Sequence, residues 1–124
     1  MAVSESLVAL LKEHLEPLGH ITLQRMFSGA GVYCDGVIFG LILRDMLHFK
    51  VDAGNRATYE TEGMTPFSYE ARGKTVQVGA YWRVPERLLD EPDEMLAWAR
   101  AALAAGRRAA AGKKPVRPRP RRGS

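Results

Sequence analysis
Apolar residues recur at helical spacing where the chain begins: Leu7, Leu10, Leu11, Leu15 and Leu18 follow one another at three- to four-residue steps, with Lys12, Glu13 and Glu16 between them. That period places the leucines on one face of an amphipathic helix. Ser4 stands where an N-cap oxygen would satisfy a free backbone amide, so the helix is expected over about 4 to 16. Pro17 and Gly19 stop it, since proline cannot extend the hydrogen-bond ladder and glycine accepts the C-cap conformation.

From Ile21 the period shortens to two. The runs ITLQRMF, VYC, VIFGLILR and MLHFKV are punctuated by SGAG and DG and predict three or four antiparallel strands in a meander. Asp35-Gly36 suits a type I′ hairpin turn, whose two central residues both need positive φ. In the last run, alternation puts Leu47, Phe49 and Val51 on one face and Met46, His48 and Lys50 on the other. The first set should be buried. His48 and Lys50 should be more exposed, on a side of the sheet that is wet or used for contact.

DAGNRATYETEG, residues 52–63, holds helix formers between glycines and predicts a short helix. Two more strands follow, FSYEA and VQVGAYWRV, joined across Arg72-Gly73-Lys74, with VPERLLDEP as a connector. Asp90 or Asp93 would cap a final helix whose core stripe is Met95, Trp98, Ala99 and Ala102, flanked by Leu96 and Leu103. Its end is expected between Gly106 and Gly112. The order helix, strands, short helix, two strands, helix describes an α+β domain with a mainly antiparallel sheet and packed helices.

Composition adds an asymmetry. The 124 residues suit one domain with a short appendage, and 46% hydrophobic with 26% charged residues suits a globular core. Residues 1–106 hold ten Lys and Arg against all fourteen Asp and Glu, about −4, whereas residues 107–124 hold eight cations and no acid. The net +4 and the pI near 9.5 therefore belong to the end of the chain. A division follows: a folded body over 1–106 and a basic Pro/Arg-rich tail over 107–124, expected to be disordered because alternating Pro and Arg offer neither apolar burial nor a donor ladder. Cys34 is the single cysteine, so no internal disulfide forms and a reducing, cytoplasmic setting is expected. The opening residues lack the pattern of a secretory signal, and no apolar run reaches the length of a membrane span.

Several motifs invite a chemical reading and fail it. Gly29-Ala30-Gly31 begins as G-x-G, but Cys34 stands where the third glycine belongs and no helix follows, whereas a phosphate cradle needs amides at a helix N-terminus. The glycines are expected to serve hairpin turns instead, by positive φ and by close backbone approach. Gly73-Lys74-Thr75 resembles the end of a Walker A loop, yet Ser68 replaces the required glycine and a strand pattern follows. His14, His20 and His48 fall on separate elements without metal-ligand spacing. Cys34 has no neighbouring base, and Glu60, Glu62 and Glu70 read as solvated faces. No catalytic, cofactor-binding or metal-binding residue is assigned, and the chain is read as a non-enzyme.

The tail supports a stronger reading. Arg107, Arg108, Lys113, Lys114, Arg117, Arg119, Arg121 and Arg122 form a polycation able to neutralise phosphates and release counterions. Such contacts are non-specific, because phosphate contacts position a protein without reading bases. Should a local basic surface on the body be used instead, Arg25, Lys50, Arg72, Lys74 and Arg83 are the residues for it.

One ordered set of residues carries a family resemblance over about 20 to 104: Arg25-Met26-Phe27, Gly29, Gly31, Tyr33, Asp35-Gly36, Phe39, Leu41, Asp45, Leu47, Phe49-Lys50 and Asp52, then Gly63, Pro66-Phe67, Tyr69, Tyr81, Val84-Pro85, Leu88 and Trp98. The order resembles the N-terminal domain of the TfoX/Sxy family, regulators of competence-specific genes in bacteria, in a stand-alone form. Ser28 departs from the family's second glycine and His48 from its usual aromatic, and a basic tail follows here in place of the helical C-terminal domain of the complete regulators. The resemblance implies a two-layer, secretion-chaperone-like α+β fold, no cofactor, and co-activation of transcription alongside a regulator of the cAMP receptor type. Two functional readings stand open: a regulatory domain of this type whose tail adds weak nucleic-acid affinity, or a protein-interaction, chaperone-like homodimer with a solubilising tail.

Overall fold
The computed structural model describes residues 4–26 and 29–113. Helix α1 spans Glu5–His14, with Ser4 as its N-cap accepting a hydrogen bond from the Leu7 amide at 3.2 Å. A 3-10 turn at Glu16–Leu18 carries Pro17 in its first positions and ends the helix as the sequence predicts. Leu11 and Leu15 are fully buried, while Leu7, Leu10 and Leu18 pack partly against the same core.

Six strands follow in one antiparallel sheet: β1 Ile21–Met26, β2 Gly29–Cys34, β3 Val37–Leu43, β4 Met46–Lys50, β5 Pro66–Ala71 and β6 Lys74–Arg83. Their order is β1-β2-β3-β4-β6-β5. Between β4 and β5 lies α2, Arg56–Thr61; after β6 come a 3-10 turn, Glu86–Asp90, and the long α3, Pro92–Lys113. The α+β, two-layer architecture is the expected one. Asp35 and Gly36 have φ of 49° and 86°, as a type I′ turn demands.

One face of the sheet carries the core. Val32, Phe39, Ile42, Leu47 and Phe49 meet Leu11 and Leu15 from the α1 region and Met95, Ala99, Ala102 and Leu103 from α3. Phe39 and Phe49 lie 5.7 Å apart, and Tyr59 of α2 sits edge-on to Trp98 at 4.7 Å. Helix α3 lies mainly across β3 and β4.

Four expectations are corrected. Gly29 and Gly31 lie within β2 rather than in a hairpin turn, and neither has positive φ; of the two expected uses, Gly29 serves close approach, since a side chain there would run into the Ile42 carbonyl of β3. Helix α3 begins at Pro92, so Asp90 lies ahead of the cap position and Asp93 inside the first turn. The same helix runs on to Lys113, one residue past the range expected for its end, and takes Arg107 and Arg108, expected in a disordered tail, into its last turns. Finally, His48 is buried at 3% exposure although Leu47, Phe49 and Val51 are buried as expected on the opposite face. The strand register is right; a second layer of side chains covers His48.

Candidate functional site
Because α1, α2 and α3 all pack on one face, the other face of the sheet carries no helix among the described residues. Register identifies its occupants. Gly31 pairs with Leu41, Leu41 with His48, and His48 with Arg83, while Lys50 pairs with Tyr81; partners in register share a face. Tyr33 alternates with the fully buried Val32 and so joins them. At the far edge Phe67 pairs with Val78 and Tyr69 with Val76, and the contact of Phe67 with His48, T-shaped at 5.2 Å, fixes that pair to this face.

The face is aromatic and cationic. Phe67 and Tyr69 stack at 6.0 Å, and Tyr69 is 41% exposed. The Lys50 ammonium lies 5.0 Å from the Tyr81 ring centroid, a cation–π contact. Burial holds the Tyr81 hydroxyl above its ordinary pKa, with Tyr33 adding to the effect. At the centre, His48 Nδ1 lies 3.0 Å from the Met46 carbonyl. Burial lowers the pKa of this imidazole and the Arg83 charge lowers it further, against hydrogen bonds to the Met46 and Leu41 backbone that favour the charged ring.

Charge separates between the layers. The six strands contain Arg25, Lys50, Lys74 and Arg83 but a single acid, Glu70. Alternation with Phe67 and Tyr69 turns Glu70 to the other face, where its carboxylate accepts from the Thr75 hydroxyl at 2.6 Å. Of the expected basic surface, Lys50, Lys74 and Arg83 thus share the open face. Arg25 does not, since it pairs with the core-facing Ala30 and lies beside Val8 and Lys12 of α1. Arg72 sits at the β5–β6 turn with φ of 55°.

The C-terminal cations divide at the end of α3. Arg107 and Arg108 are exposed on the helix. Arg108 donates from Nε and Nη2 to the two carboxylate oxygens of Asp52 at 2.7 and 2.8 Å, and this pair holds the Asp52 carboxyl below its ordinary pKa. The same carboxylate accepts from the Gly54 amide at 2.8 Å, so the loop after β4 is shaped to receive the arginine. Lys113 is the last residue of α3, and Lys114, Arg117, Arg119, Arg121 and Arg122 lie outside the described residues. A second arginine, Arg87, bridges Glu62 after α2 and Glu94 in the first turn of α3 at 2.6 Å each; its role is to join those elements.

The remaining candidates do not converge. Among the described residues no three His, Cys, Asp or Glu side chains come together as metal ligands. Cys34 is buried, and burial raises its thiol pKa, with Asp35 contributing, the reverse of an activated nucleophile. Gly73 and Lys74 form a turn and the start of β6 rather than a loop entering a helix. A cleft of about 230 Å³ between α2 and α3 is lined by Thr58, Tyr59, Ala97, Trp98 and Ala101 with Asn55, but Asn55 is engaged in shaping the loop, donating to the Lys50 carbonyl at 3.0 Å.

A model of the TfoX N-terminal domain matches residues 13–106. The chain belongs to that family. The match ends where the cationic run begins. The TfoX N-terminal family is a regulatory one and is not known as an enzyme family, so the membership supports a competence-regulator-like role at the level of the family. No curated protein matches the chain. No helix among the described residues is long and apolar enough to cross a membrane.

The rings of the open face were not found as a site by sequence reasoning. They come from β2, β5 and β6, which only the sheet order brings side by side. A usable signal was present: strand-like runs that hold four cations and one acid in a body whose net charge is −4.

Proposed function
We propose that this chain is a non-enzymatic regulatory domain of the TfoX N-terminal type, whose body contacts a protein of the transcription apparatus and whose C-terminal cations hold nucleic acid without sequence preference. A regulator of the cAMP receptor kind is the partner class that the family suggests. The observation that carries the nucleic-acid half is charge segregation: eight cations and no acid in residues 107–124, against a body of about −4. A polycation on an acidic body binds phosphate through its own segment, because the body's net field repels DNA.

Salt-titrated anisotropy on duplex DNA tests this. If all eight cations contacted phosphates, log K would fall with log salt at a slope of about −7. The Arg108–Asp52 pair and the geometry of a single chain reduce the number engaged, and a slope of about −3 to −6 is expected. Changing Lys114, Arg117, Arg119, Arg121 and Arg122 to serine should abolish most of the affinity, equally for unrelated sequences. Unchanged affinity would refute the reading. For the protein half, the serine variant should still be retained by the protein partner in a pull-down.

The alternative, a chaperone-like homodimer, draws on the helix-free apolar positions of the open face. Sedimentation of the full chain distinguishes it: a monomer at working concentrations removes it.

A further inference from the structure
The open sheet face carries features that the C-terminal cations do not explain. A solvated sheet face ordinarily alternates mixed charges with small polar residues, and a body with fourteen acids has carboxylates to spare. Here the strands place none on this face. Rings and cations, with the aliphatic Leu41, Val76 and Val78 between them, occupy it instead, in positions set by strand register: Phe67 and Tyr69 along one strand, Tyr81 beneath Lys50, and Arg83 opposite His48. Tyr69 keeps 41% of its surface in water while one side of its ring stacks on Phe67.

We propose that this face is a docking surface for single-stranded nucleic acid, with unpaired bases stacking on Phe67, Tyr69 and Tyr81 and phosphates drawn to Lys50, Lys74 and Arg83. Base stacking on aromatic side chains of a sheet, beside cations that follow the backbone, is sequence-tolerant because every base presents a π face. Burial of His48 beneath Phe67 gives the platform a firm floor, holding the Phe67 ring in place before any ligand arrives. Arg83 also reaches Glu86 at 3.9 Å across an exposed edge, a contact weak enough to be exchanged for phosphate.

Charge decides among occupants. A second copy of the chain would set Lys50, Lys74 and Arg83 against an equally cationic face with no strand carboxylate to answer them. An acidic peptide would satisfy the cations but offers no series of flat partners for the rings. A duplex hides its base faces within its own stack. Single strands supply anions and exposed π surfaces in alternation.

The proposal does not depend on the C-terminal cations, and its test separates the two. A labelled short oligothymidylate, an abasic strand of the same length and a duplex are titrated with the full chain, with Tyr69→Ala, with Tyr69→Phe and with the five-serine C-terminal variant. Thermal unfolding checks that each variant is folded; Tyr69 is exposed enough for its removal to leave the core intact. The expected result is weaker binding of the abasic strand than of oligothymidylate, a loss of at least about fivefold for oligothymidylate in Tyr69→Ala, little change in Tyr69→Phe, and unaltered duplex binding in both. The serine variant should bind every strand less tightly while keeping its preference for bases over abasic sites. Equal binding of oligothymidylate and the abasic strand overturns the proposal, as does an unaffected Tyr69→Ala. So does displacement of oligothymidylate by polyglutamate at equal charge, which would point to an acidic protein, or a dimer in solution that Tyr69→Ala dissociates.

Discussion
Phe49 and His48 are neighbours on β4, buried on opposite sides of the sheet by different means. Phe49 is fully enclosed between the strands and α3, against Phe39. Truncation to alanine removes that packing and leaves a cavity, so Phe49→Ala should cost about 3 to 5 kcal/mol, read as a lower urea midpoint with an unchanged slope. His48 is covered only by side chains of the open face, and its cost appears with protonation. Its pKa in the folded chain lies below the ordinary histidine value, because burial and the Arg83 charge both oppose the imidazolium. Between the folded and unfolded values the unfolded chain binds the extra proton, so stability falls as pH falls through about 6.5, and above that range the effect vanishes. Unfolding measured at about pH 5 and about pH 8 should show this drop. In His48→Gln the drop should shrink; a variant with the same pH dependence as the parent would show that His48 is not its source.

Helix α3 and strand β3 approach closely because of one glycine. A Cβ at Gly106 would stand 2.5 Å from the Ile38 carbonyl and 3.2 Å from a Val37 methyl, whereas one at Gly112 would meet nothing within 4 Å. Helix propensity alone favours alanine at both by about 1 kcal/mol. Gly112→Ala should therefore raise the melting temperature slightly, and Gly106→Ala should lower it, since α3 must lift from the sheet at a cost of about 1 to 3 kcal/mol. The same glycine marks the near limit of the range in which α3 was expected to end, and its packing use could not be read there because it depends on a strand about 70 residues earlier. Elements that rest on local chemistry were legible, including the Ser4 cap, the leucine face of α1 and the Asp35-Gly36 turn. The β3–β4 turn at Arg44-Asp45 was less so, because both residues adopt positive φ, 53° and 60°, without a glycine to announce it; Asp45 instead accepts from the Ser4 amide at 2.9 Å. The burial of His48 and the gathering of Tyr33, Phe67, Tyr69 and Tyr81 depend on long-range strand order, and alternation within one strand shows only that a second face exists.

Across the whole molecule, charge is sorted by position: the acids lie almost entirely outside the strands, the open face is cationic, and eight further cations follow residue 106. The last turns of the helix that carries the C-terminal segment are tied to the loop after β4, where Asp52 holds Arg108. Nucleic acid must then compete with the protein's own carboxylates for those cations. At low salt the competition is strongest, because the Debye length of about 30 Å at 0.01 M lets the whole body be felt, whereas at 1 M it is about 3 Å. A peptide of residues 107–124 alone should bind duplex DNA more tightly than the intact chain at low ionic strength, with a slope nearer the limit of about −7 for eight contacts. The two affinities should converge as salt is added. Asp52→Asn releases Arg108 and removes one negative charge, so it should move the intact chain toward the peptide without changing the fold, because the pair is exposed and exposed pairs contribute roughly 0 to 1 kcal/mol. Tighter low-salt binding by the intact chain than by the peptide would mean instead that the folded body makes duplex contacts of its own.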